Sequence, residues 1–146
     1  MSRHGYVDDG DLEPLEWGRW HGSVLSAIRG KRGQAFLREM IAALDAMPEK
    51  RLVRSELVTK DGDVCAMGCV LAKRGTDVKA VDPEDYGTVA NVVGLAESMT
   101  REIAYENDEG SYKETPEQRW ARMRNWAEKN LRPSPAAPPE VSPDAK

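Results

Sequence analysis

Between Gly33 and Pro48 the chain carries Phe36, Leu37, Met40, Ile41, Leu44 and Met47 at helical spacing, with Arg38, Glu39 and Asp45 on the opposite side. A stripe that wide cannot be left in water, so this segment must be an amphipathic helix laid against other elements. Pro48 stops it, because proline has no amide donor and its ring clashes with the preceding turn. A second apolar stripe comes just before, with Trp17, Trp20, Val24, Leu25 and Ile28 on one helical face and Gly30 as the end. Two helices joined by a short basic joint at 29–34 set the expected architecture.

Beyond Pro48 the pattern changes to alternation. Leu52, Val53, Leu57 and Val58 lead to Lys60-Asp61-Gly62-Asp63, where Asp-Gly is a tight-turn signal, and one or two short strands or a small hairpin are expected here. The segment 64–73, rich in small and apolar residues, could continue a hairpin or form a buried helix, and the helix, closed by Gly75, is the favoured reading. Asp82-Pro83-Glu84-Asp85 reads as a cap, a first-turn proline and matched carboxylates opening one long helix through Ile103, weakened in its middle by Gly94. Thr115-Pro116-Glu117-Gln118 carries a capping box for a last helix that turns Trp120, Met123, Trp126 and Ala127 inward and leaves its arginines wet. The fold class is therefore mostly α (α+β): about five helices with a small β element. The expected organisation is an acidic lead-in at 1–16, one helical domain at 17–131, and a disordered segment at 132–146 that carries five prolines.

Composition narrows the function classes. With 146 residues, of which 40% are hydrophobic and 32% charged, the chain has material for one core and not for a second catalytic domain. A net charge of -4 is the reverse of what bulk coating of nucleic acid needs, so duplex DNA is disfavoured as a partner. No run is long and apolar enough for a membrane span, and the acidic start does not resemble a signal peptide, so a cytoplasmic location is expected. Cys65 and Cys69, the two cysteines, are expected as reduced core thiols.

Several constellations bear on chemistry. Arg29, Lys31, Arg32 and Gly33 in the joint, with Arg38 one turn on, form the best anion-binding or partner-binding site, since a helix start attracts negative charge and glycine admits close backbone approach. The competing reading is a solvated interhelical turn. Tyr105, Glu106, Asn107 and Asp108 form a secondary acidic site whose carboxylates oppose a helix dipole. Its competing reading is a hydrated turn. Cys65, Cys69, His21 and His4 just suffice in number for zinc but lack paired spacing, and Cys65 with His21 could form a nucleophile pair. Neither a catalytic set, a metal site nor a cofactor is assigned. Val89, Ala90, Val93, Gly94, Leu95 and Ile103 partly match a helix-turn-helix, yet the second helix carries more carboxylates than cations.

Taken together, the stretches 28–34, 44–52, 64–68, 104–109 and 114–120 resemble a family of small uncharacterised bacteriophage and prophage proteins, over roughly 20–126. The resemblance implies an accessory protein of phage origin and supplies no catalytic residue. The resulting expectation is a non-enzymatic binding protein that counters host defence by occupying a host protein or a nucleotide-like signalling anion, with room for a homo-oligomer. The alternatives are a DNA-associated regulator with a degenerate helix-turn-helix, and a small hydrolase built on Cys65 or on the carboxylates near Asp108.

Overall fold

The computed structural model describes residues 14–133; residues 1–13 of the lead-in expected at 1–16 and residues 134–146 of the segment expected at 132–146 lie outside them, and helix begins at Pro14, inside the expected lead-in. Six helices follow one another: α1 (Pro14–Arg29), α2 (Lys31–Ala46), α3 (Ala66–Arg74), α4 (Tyr86–Val93), α5 (Glu97–Asp108) and α6 (Pro116–Asn130). The helical expectation holds. The β-hairpin does not: among the described residues there is no strand, only one antiparallel bridge between Val58 and Val64. The tight turn itself forms, with Thr59 N donating to Asp63 O at 2.8 Å. Past it, Cys65 N still donates to Leu57 O at 3.2 Å and Val53 N to Val64 O at 2.9 Å, but the pairing goes no further. Leu52 N donates to Pro116 O at the start of α6, and Ala66 N donates to the Asn107 side chain on α5, so no ladder grows.

The joint between the first two helices is shorter than expected. Gly30 alone separates them, extended at φ -72° and ψ 169°, and α2 resumes at Lys31 instead of after Gly33. Gly33 is thereby inside a helix and pressed on α1. A Cβ there would lie 2.8 Å from Ile28 O and closer still to Ala27 O. The glycine serves helix contact.

The long helix expected from Asp82 to Ile103 is two helices. Gly94 takes a left-handed conformation, φ 83° and ψ 34°, and its N–H donates to Ala90 O at 2.8 Å, which closes α4. A left-handed glycine is a common way to satisfy the last carbonyls of a helix. The cap also moves: Asp85 accepts from Thr88 N, while Asp82 holds a turn by accepting from Glu84 N at 2.9 Å. Leu95 is buried in the turn, and α5 begins after Ala96.

The core gathers Leu37, Met40 and Leu44 of α2, Met67 and Leu71 of α3, Met99 and Ile103 of α5, Met123 of α6, and Leu52 from the connection, each essentially free of solvent. α2 packs on α1, α3 and α6, whereas α5 packs on α1, α3, α4 and α6. α6 starts with the expected capping box, in which Thr115 Oγ1 accepts from Gln118 N and Gln118 Oε1 from Thr115 N. Its Met123 and Ala127 are buried, and Trp120 and Trp126 lie half-buried against the core. No described helix is long and apolar enough to cross a membrane.

Candidate anion-binding corner

The short joint places Arg29 at the end of α1 beside Lys31 and Arg32 at the start of α2, with Arg38 two turns beyond Lys31 on the same face. All four are exposed. Arg32 Nη1 donates to Gly94 O at 3.4 Å, and Arg38 Nη2 to Arg132 O at 3.3 Å, both of them neutral carbonyl oxygens. None of the four meets a carboxylate among the described residues. Six arginines elsewhere are spent on acids: Arg74 on Glu39, Arg124 on Asp45, Arg101 on Glu97, Arg51 on Asp63, and Arg119 and Arg122 on Glu114. The corner thus keeps its charge. Gly33, the fifth residue expected in this site, is buried against α1 and does not face it.

The acidic candidate comes out differently. Tyr105, Glu106, Asn107 and Asp108 form the last turn of α5 itself, and Asn107 is only 1% exposed. Its amide nitrogen donates to Val53 O at 2.9 Å and to Asp108 Oδ1, and its oxygen accepts from Ala66 N at 3.1 Å. Asp108 also accepts from Ser55 N at 3.1 Å. Ser55 is held at φ 66°, the left-handed region, which aims that N–H. These two side chains tie the end of α5 to the connection before α3.

The acids' conflict with the helix dipole is resolved by α6. Arg122 donates to the carbonyls of Glu106 and Asn107, capping α5 with a cation where its dipole is negative, and grips Glu114 through Nε at 2.6 Å. Arg119 reaches Leu52 O at 2.7 Å and lies 3.2 Å from Glu114. Arg122 holds the Glu114 carboxyl below the usual carboxylate range. Arg119 is buried where a wet arginine was expected, and this Glu114–Arg119–Arg122 cluster was missed. The signal was present: carboxylates at a helix end call for a cationic cap, and α6 brings two arginines three residues apart. Burial, helped by the hydrogen bond that protonated Glu106 donates to Glu102 one turn earlier, pushes Glu106 up to about 7.

The chain matches no protein-family model, no curated protein and no solved structure. Its chemistry is read from the side chains alone.

Both thiols are free and buried. Cys65 caps α3, its Sγ accepting from Gly68 N at 3.4 Å, and burial beside Cys65 pushes the Cys69 thiol up to about 11. A thiol held in that state is a poor nucleophile. Among the described residues no group of three or more His, Cys, Asp or Glu is arranged to hold a metal, and His4 lies outside them. The α4–turn–α5 pair has the short glycine turn of a helix-turn-helix. However, Met99, Thr100, Ile103, Ala104, Asn107 and Asp108 are all buried, and α5 is enclosed by four neighbours. The partly exposed Glu102 of α5 and, just past its end, the exposed Glu109 repel phosphates.

Proposed function

We propose that this chain is a non-enzymatic binding protein of the accessory type carried by phages and prophages. It engages an anionic partner, a host protein or a nucleotide-like signal, through the corner formed by Arg29, Lys31, Arg32 and Arg38, and so counters host defence. What supports the reading is that these four cations are exposed and unmatched by acids among the described residues, while six arginines elsewhere are paired. Arginine and lysine left unpaired on a rigid helix start suit anion contact, since their side chains need no ion pair broken before they bind.

The test compares the wild-type chain with a Lys31→Glu, Arg32→Glu double variant for capture of partners from infected host lysate, with mass spectrometry of proteins and of released small molecules. Loss of the wild-type partner in the double variant, at unchanged helical circular dichroism and melting temperature, is the expected outcome. Equal capture by the two proteins refutes the assignment of the corner.

A further inference from the structure

An open depression lies along α1 beside the cationic corner, whose own four cations do not line it. Arg19, Ser23, Ser26 and Ala27 on α1 and Ala96 and Ser98 at the start of α5 line this groove of about 710 Å³. Ser98 Oγ donates to Ser23 O at 3.5 Å across it. Arg32 stands at the far end, since its guanidinium rests on Gly94 O, two residues before Ala96, and its neighbour Gly33 lies against Ala27 O. Arg19 stands at the near end and meets no carboxylate among the described residues. From Arg19 to Gly30 the helix runs about 16 Å, at about 1.5 Å per residue.

We infer that this groove binds an extended acidic segment of a partner protein, a conclusion that rests on the corner being an anion site and names the class of anion. A nucleotide fits it poorly: ligand pockets of that kind enclose most of the ligand, whereas this depression is open and no aromatic ring lines it to stack a base. An extended peptide fits better. Small side chains along the floor let a main chain approach, the serine hydroxyls offer it hydrogen bonds, and about five residues at about 3.3 Å each span the interval between the two cations. Carboxylates near each end of such a segment meet Arg19 and Arg32, while Glu97, the nearest acid of α5, is already held by Arg101 at 3.0 Å. The complementarity lies in charge and in length.

The probe is a fluorescein-labelled decapeptide alternating acidic residues with serine, followed by fluorescence anisotropy on the full chain. A glycine–serine peptide of the same length serves as the control, and ATP as a second probe. Saturable binding of the acidic peptide, weakened at least about tenfold by Arg19→Glu and by Ser26→Trp, is the expected result. Ser26 is exposed, so the indole fills the groove without entering the core; an unchanged thermal melt verifies this. Binding no tighter than that of the glycine–serine peptide, or insensitive to Ser26→Trp, overturns the inference. ATP binding that Lys31→Glu with Arg32→Glu abolishes and Ser26→Trp leaves intact also overturns it, yet leaves the corner standing as an anion site.

Discussion

Replacing Gly33 by alanine tests the contact that builds the corner. The missing side chain at Gly33 lets the first turn of α2 rest on the last carbonyls of α1. A Cβ would sit 2.8 Å from Ile28 O, 3.0 Å from Met99 Sδ, and closer still to Ala27 O. Two of those three atoms are helix backbone, which cannot withdraw unless α1 shifts against α2. Overpacking of this kind costs about 1–3 kcal/mol or more, and alanine's better helix propensity returns at most about 1 kcal/mol. Gly33→Ala is therefore expected to destabilise by about 1–2 kcal/mol. Gly22 supplies the control, because it lies within α1 and a Cβ there meets nothing within 4 Å. Gly22→Ala should stabilise by about 0.5–1 kcal/mol through reduced freedom of the unfolded chain. Urea unfolding followed by far-ultraviolet circular dichroism reads both, provided the denaturant slope is unchanged. If Gly33→Ala is as stable as the wild type, the close approach of α1 and α2 is wrong, and the placement of Arg29 beside Lys31 and Arg32 falls with it.

Three further outcomes are expected. Leu37→Ala removes a side chain with no solvent exposure from the core and should cost about 2–5 kcal/mol by denaturant titration; a loss under about 0.5 kcal/mol contradicts its placement. Asn107→Ala leaves Ala66 N and Val53 O without their partner and should cost about 2–3 kcal/mol in the same assay, so a neutral variant would mean that α5 is not tied to the connection in this way. Glu106, raised from 4.5 to about 7, keeps in the folded state a proton that the unfolded chain has released. Its contribution is fully present below pH 4.5 and is lost as pH rises through 7. Solvent screening reduces this to about 1 kcal/mol. Melting temperatures between these limits should fall less in Glu106→Gln than in the wild type, and parallel slopes refute the proton shared with Glu102.

Local signals located the helices well where one residue settled the outcome. Pro48 closes α2 with Met47 as its cap, Gly75 closes α3, and the Thr115 capping box opens α6, each as read from the residues themselves. The misplacements are tertiary. Gly94 is compatible with a weakened helix interior or with a left-handed cap at a helix end, and the burial of Leu95 and Met99 against neighbours selects the ending. Gly33 signals both a loop and a close packing contact, and only the position of Ala27 O distinguishes them. At the connection, the period-two pattern of Leu52, Val53, Leu57 and Val58 was real. Part of its backbone pairs locally, Val53 N with Val64 O and Leu57 O with Cys65 N, while Leu52 N and Val53 O are claimed by Pro116 and Asn107, partners that no local window contains. The exposure of Arg29, Lys31, Arg32 and Arg38 was legible because a charged side chain needs no tertiary partner to stay in water. The Glu114–Arg119–Arg122 cluster is local in sequence, but its link to the end of α5, through Arg122 on the carbonyls of Glu106 and Asn107, depends on α6 crossing there.

The distribution of charge decides what such a corner can attract. The chain as a whole is negative, at -4, so a long polyanion such as duplex DNA meets net repulsion at distance. Within about 8 Å, the screening length at physiological salt, a partner senses only its local surroundings. Glu39, Asp45, Asp63, Glu97 and Glu114 are each neutralised by an arginine, and Asp108 is turned inward to Ser55. Arg29, Lys31, Arg32 and Arg38 have no such acid beside them among the described residues, and so hold a positive field on a negative protein. That combination selects by length: a short acidic segment fits wholly inside the favourable field, whereas a long one extends its remaining charge over surface that repels it. Added salt should weaken binding of a short acidic peptide steadily, and lengthening the peptide beyond the groove should bring no gain in affinity. A steady gain with each added acidic residue would mean that the attraction is not confined to this corner.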